Sequence, residues 1–97
     1  MVSERQGKTY RQLERYFKGV ANHRRIAILL LVAQTGGIGL DQISKRLQCN
    51  MKTISEHTRR LVLAGLLQKF YRGRTVAHIL TPYGKKMLAC LKLFSHS

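Results

Sequence analysis

Apolar residues return along this chain with two different periods, and the change of period divides it. From Thr9 to Ala64 they recur every three or four positions, as on helices with one side against a core. From Leu66 to Leu80 they alternate, as on strands, and from Thr81 the helical period returns. In the first helix Tyr10, Leu13, Phe17 and Val20 line one side and Arg11, Glu14, Arg15 and Lys18 the other, with Gly19 weakening the last turn. Asn22 caps a second helix, HRRIAILLLVAQT, which is apolar nearly all round and so predicts the centre of the core. Thr35-Gly36-Gly37 stops it. Ile38-Gly39-Leu40 is a short extended piece, and Asp41 to Leu47 is a short helix turning Leu40, Ile43 and Leu47 inward. Its Asp41 sits where a negative charge meets the helix dipole favourably.

The segment from Met51 to Leu67 is punctuated most clearly. Asn50 is a strong N-cap and Gly65 suits the left-handed position after a helix, so a helix over 51–64 is expected. Ile54, Thr58 and Leu61 fall on its inner side, and Lys52, Ser55, Glu56 and Arg59 on its outer side. Leu63 also falls outward and does not fit a polar face. Leu66 to Tyr71 and Thr75 to Leu80 predict a hairpin with Arg72-Gly73-Arg74 at a basic tip. Thr81-Pro82 opens a last helix, with Thr as cap and Pro in the first turn. Its apolar stripe of Tyr83, Met87, Cys90, Leu91 and Phe94, widened by Leu88 and Leu93, exceeds what a small core needs. The excess suggests a partner surface, such as a second copy of the chain. The fold class is therefore mainly α with a small β-hairpin, in the order α-α-β-α-α-β-β-α. Residues 9–97 form one domain, and residues 1–8 a flexible tail.

Charge sharpens this picture. With 97 residues there is room for one small domain, and 18 Lys and Arg against 4 Asp and Glu leave it at +14. Such a surface attracts polyanions, nucleic acid first and an anionic membrane surface second. The longest apolar run, Ile26 to Ala33, has eight residues, far short of the ~20 that span a bilayer. No apolar signal core opens the chain, and Cys49 and Cys90 form no CxxC pair, so an intracellular, cytoplasmic chain with reduced thiols is expected. His23, His57, His78 and His96 form no HxxxH or Cys/His cluster, and no metal or cofactor is expected. The four carboxylates are scattered, and no phosphate loop or nucleophile elbow occurs, which argues against an enzyme.

Several fragments, in order, resemble ArsR-like bacterial and archaeal regulators. Phe17-Lys18-Gly19-Val20-Ala21-Asn22-His23-Arg24-Arg25-Ile26 is similar to the family's F-K-A-L-A-(D/N)-P-x-R-L opening. Thr53-Ile54-Ser55-Glu56-His57 matches T-V-S-x-H, and Leu61 with Ala64-Gly65-Leu66-Leu67 matches L-x-x-A-G-L-(V/L). Leu80-Thr81-Pro82-Tyr83-Gly84 resembles the L-T-x-x-G of many winged-helix regulators, including MarR-like ones. The resemblance covers roughly residues 10 to 95. It departs from the family's metal sensors, because the Asp41–Arg46 segment has no Cys or His, and in the apolar Val62 and Leu63.

The resemblance implies a winged helix-turn-helix that binds double-stranded DNA as a homodimeric transcriptional regulator, most simply a repressor. It implies DNA contacts from Lys52, Thr53, Ser55, Glu56 and Arg59 on the recognition helix and from Arg72 and Arg74 in the wing, residues 70–76. Lys45 and Arg60 join these as neighbouring cations. It also implies a dimer built on the first and last helices, at Tyr10, Leu13, Phe17, Met87, Leu91 and Phe94. Arg59 has the geometry for a bidentate contact to guanine and Glu56 for accepting from cytosine, while the plainer role of Glu56 is an i,i+4 pair with Arg60. Two other readings fit the charge: a non-sequence-specific nucleoid or RNA-binding winged helix, and a protein-interaction winged helix within a larger complex.

Overall fold

The computed structural model describes residues 7–95, so most of the expected tail, residues 1–6, and His96 lie outside the described residues. The elements run α1 (Tyr10–Val20), α2 (His23–Gln34), β1 (Ile38–Gly39), α3 (Leu40–Leu47), α4 (Met51–Leu63), β2 (Leu67–Arg72), β3 (Thr75–Leu80) and α5 (Pro82–Ser95). The architecture is that of a winged helix. The three strands form one antiparallel sheet in the order β1-β3-β2.

Caps fix the helix starts. Thr9 and Gln12 make a reciprocal capping box at α1, and the Asn22 side chain accepts from the backbone N–H groups of Arg24 and Arg25. Asn50 Oδ1 accepts from Thr53 N–H at 2.8 Å, which starts α4 where the sequence predicts. Between α3 and α4, Gln48 takes a left-handed φ of 52°, and the Ser44 hydroxyl donates to the Cys49 carbonyl. This turn sets the angle between the two helices.

The core is a single cluster. Ile28, Leu29 and Val32 of α2 meet Ile43 of α3, Ile54 and Leu61 of α4, and Leu66 and Leu67 of the hairpin. α2 is the centre of this core, as its pattern predicts, but its apolar surface is not covered on every side. Leu30 and Ala33 are exposed, on the strip of α2 that the other helices and the sheet leave open. Thr58 is buried among apolar neighbours, and its hydroxyl lies 3.0 and 2.9 Å from the carbonyls of Ile54 and Ser55. That satisfies it within its own helix.

A seam joins α4, the hairpin and α5. Gly65 ends α4 at φ 82°, which a residue with a side chain rarely adopts. The Thr81 hydroxyl donates to the Gly65 carbonyl at 2.6 Å and accepts from Gly84 N–H at 2.9 Å. Any side chain at Gly84 would overlap the Leu66 carbonyl oxygen. The Ala64-Gly65-Leu66-Leu67 and Leu80-Thr81-Pro82-Tyr83-Gly84 motifs are thus two sides of one contact.

His78 on β3 is buried, and its Nδ1 lies 3.1 Å from the Ile38 carbonyl. A carbonyl only accepts, so Nδ1 carries the proton and bonds β1 to β3. Burial holds the His78 pKa below its ordinary 6.5, more than this bond raises it, and Lys69 lowers it further.

Candidate nucleic-acid interface

The outer face of α4 follows from its caps and its buried side. With Ile54, Thr58 and Leu61 fixed inward, the 3.6-residue period brings Lys52, Ser55, Glu56 and Arg59 to the surface, and all four are exposed. Thr53 is half-buried at the edge of this face. Leu63 is 65% exposed and continues it towards the helix end. Lys45 is exposed on α3.

Glu56 organises the cations beside it. Arg59 donates to both Glu56 oxygens, at 3.1 and 2.8 Å, and Arg60 Nε donates to Glu56 Oε1 at 3.1 Å. The Arg59 bonds chiefly, with Arg60 adding, hold the Glu56 carboxyl down at about 2. Both readings of Glu56 therefore meet in one fork. The sequence suggested the Arg60 pair, but Arg59, the favoured guanine reader, is engaged as well.

Beyond α4 lies the wing. Its β2–β3 register pairs Arg72 with Thr75, leaving Gly73-Arg74 as a two-residue turn with Gly73 at φ 63°. Glycine first is the order of a tight type II′ hairpin. The expected basic tip is therefore two residues long, and its two arginines differ. The Arg72 guanidinium sits 5.5 Å from the Phe70 ring centroid and fills the space beside Gly37, so it folds back along the sheet. Arg74 is exposed at the turn itself. Lys69 and Tyr71 share a face of β2 by alternation, and Lys69 borders a cleft with Ser55, Arg59 and Val62 of α4. Tyr71 is 73% exposed. Neither was singled out from the sequence, although an aromatic next to a basic turn was a usable signal.

The other flank of α4 was missed altogether. Arg15 and Lys18 of α1, Arg25 of α2 and Arg60 of α4 border one groove of about 240 Å³. His57 lies half-buried nearby, and burial first, then Arg25, Arg24 and Arg60, lower its pKa. Periodicity within one helix cannot show cations converging from three.

The residues assigned to a dimer surface divide in two. Tyr10, Leu13, Phe17 and Phe94 are exposed, Phe94 by 75%. Met87 is only 6% exposed and belongs to the core, with Leu91 half-buried against it. Tyr16, on no predicted stripe, stacks on Tyr83 at 5.0 Å between ring centroids, and Lys8 Nζ lies 4.7 Å from the Tyr83 centroid. This cluster ties the start of the described chain to α5. Cys49 and Cys90 are free thiols. Among the described residues no group of three His, Cys, Asp or Glu side chains is placed to hold a metal, and no helix is long and apolar enough to cross a membrane.

No protein-family model matches the sequence, and no curated protein does either. Solved structures do match. The homodimeric winged helix-turn-helix DNA-binding domain of Mb0332 from Mycobacterium bovis, a possible ArsR-family transcriptional regulator, is 25% identical with a TM-score of 0.83, over 99% of this chain and 89% of that one. Reduced HlyU from Vibrio cholerae is 25% identical with a TM-score of 0.77, over 87% of this chain and 88% of its own. Streptococcus pneumoniae FabT, solved in complex with DNA, shares the fold at 15% identity and a TM-score of 0.70, over 88% of this chain and 66% of its own. The chain is a winged helix-turn-helix protein, similar in architecture to ArsR-like transcriptional regulators and sharing its fold with FabT.

Proposed function

We propose that this chain is a cytoplasmic, homodimeric transcriptional regulator, acting as a repressor, that binds double-stranded DNA sequence-specifically. The observation that carries the reading is the outer face of α4. It presents hydrogen-bonding and cationic side chains over a buried inner face, with basic residues on both flanks. A helix of this diameter fills a major groove about 12 Å wide. Ser55, Arg59 and Glu56 then reach base edges, with Thr53 at the margin. Lys45, Lys52, Arg60, Arg72 and Arg74 meet phosphates. Arg59 must exchange Glu56 for guanine, so the Glu56 fork keeps it ordered until a correct base offers better acceptors. Dimerisation through α1 and α5 spaces two such helices about one duplex turn, roughly 34 Å, apart.

The net charge of +14 favours a second reading, binding to DNA without sequence preference. Selection from a random duplex pool separates the two. The proposal predicts an enriched half-site repeated about one turn away. It also predicts that Arg59→Ala loses preference for the selected duplex over a random one, while Arg74→Ala weakens both alike. A pool that stays random after repeated selection refutes sequence-specific reading.

A further inference from the structure

The basic groove between α1, α2 and α4 lies off the wing, on the flank of α4 turned away from it. Arg15 and Lys18 come from α1, Arg25 from α2, and Arg60 and Leu63 from α4. A side chain on Gly19 would overlap Ala64 Cβ, so α1 and α4 are locked together beside the groove. Two of its cations are partly neutralised: Glu14 pairs with Lys18 at 2.9 Å and Glu56 with Arg60 at 3.1 Å. Among the described residues no carboxylate pairs with Arg15 or Arg25. Arg25 Nε is buried and lacks a hydrogen-bond acceptor, as does His57 Nδ1 a partner. A buried guanidinium N–H without an acceptor is costly, and an anion in the groove that draws the Arg25 guanidinium outward relieves that cost.

The position of the groove indicates which anion. On α4, Ser55 and Val62 turn towards the wing sheet, where they border a cleft with Lys69 and Val76. Arg60 and Ala64 lie on the opposite flank and border the basic groove. The exposed face of α4 therefore runs between two basic margins. A helix in a major groove likewise runs between two phosphate ridges, one per strand. Leu63, which does not fit a polar reading face, fits as an apolar lip of this groove.

We propose that the α1–α2–α4 groove is a second backbone clamp, which takes a DNA phosphate on the strand across the major groove from the wing. The inference rests on the DNA reading above. A phosphate oxygen accepts from Arg15 and Arg25, and Arg60 turns from Glu56 to the same ridge when Arg59 engages a base. The contact is blind to sequence, so it strengthens binding to all duplexes alike.

Fluorescence anisotropy on a selected and a random duplex, over a series of salt concentrations, tests this with wild type, Arg15→Gln, Arg25→Gln and Leu63→Glu. Each Arg→Gln variant removes one contact per subunit, so it is expected to bind both duplexes roughly 3- to 10-fold more weakly and to lower the dimer's salt slope by about 1.8. Leu63→Glu should do at least as much, by placing a negative charge on the lip. Arg15 and Leu63 are exposed, so these two variants keep their fold even if Arg25→Gln does not, and circular dichroism checks each. Replacing single phosphates by neutral methylphosphonates should weaken wild type, and not Arg15→Gln, at a phosphate outside the wing contact. Wild-type binding with the expected salt slope, but unchanged in Arg15→Gln and Leu63→Glu, overturns the clamp and leaves the DNA reading intact. Absence of duplex binding by wild type overturns both. Calorimetry with inorganic phosphate distinguishes the remaining source of the same chemistry. Saturable phosphate binding lost in Arg15→Gln, with an unchanged DNA salt slope, would make the groove a free-anion site and overturn the clamp.

Discussion

Around α4 the exposed side chains are mainly polar, Lys52, Ser55, Glu56, Arg59 and Arg60, with Met51 and Leu63 the apolar exceptions, whereas along α1 and α5 they include Tyr10, Leu13, Phe17 and Phe94. Both surfaces are built on amphipathic helices whose inner faces share one core, so packing does not explain the difference. The first offers charge-assisted hydrogen bonds that water can replace at little cost. The second exposes aromatic area that water solvates poorly, of the kind that marks a protein contact. Under the proposed function, the contrast assigns two partners, a polyanion on one side and another copy of the chain on the other. The Gly65–Thr81–Gly84 seam is what holds the two surfaces in a fixed relation.

The most damaging way to break the comparison is at the seam. Gly84→Ala drives a methyl into the Leu66 carbonyl and should cost about 1–3 kcal/mol or more, read as a lower thermal midpoint in calorimetry. Both surfaces should lose function together. Phe17→Glu should affect only the apolar surface. It should weaken self-association by about 2 kcal/mol, giving monomers by light scattering while circular dichroism is unchanged. Glu56→Gln should affect only the polar surface and more gently. Removing the carboxylate releases Arg59 and Arg60, so random duplex is bound more tightly, with the dimer's salt slope steeper by about two units, and the preference for the selected duplex shrinks.

The smallest effect is that of pH. Because burial lowers the His78 pKa in the folded state, the unfolded chain takes up the proton first. Stability is therefore complete above about pH 6.5 and is lost as pH falls through the lower, folded-state value. The half-buried His57 acts with the same sign. A thermal midpoint that falls on acidification below pH 6.5, less so in His78→Gln, is the expected outcome.

Much of this was legible in the chain. Asn50 and Gly65 bounded α4 to within a residue, and the change of period at Leu66 announced the hairpin, because caps, left-handed glycines and alternation are local consequences of sequence. What was not legible depends on neighbours. Met87 and Leu30 both read as apolar, yet Met87 faces the core while Leu30 lies on the side of α2 turned away from it. Arg72 and Arg74 read alike at the wing tip, and only the three-dimensional sheet reveals that Arg72 packs against Gly37 and Phe70. The Arg15, Lys18, Arg25 and Arg60 groove draws on three helices, so no window along the chain displays it. The resemblance singled out α4 but not the engagement of Arg59 by Glu56, which depends on side-chain rotamers.

The central claim, that the polar surface binds duplex DNA through its phosphates as well as its bases, is tested most directly by the salt dependence of wild-type binding to its selected duplex. If the dimer meets six or more phosphates, affinity should fall by ~10³ or more between 50 and 200 mM salt. A binding constant that stays flat across that range would contradict the account.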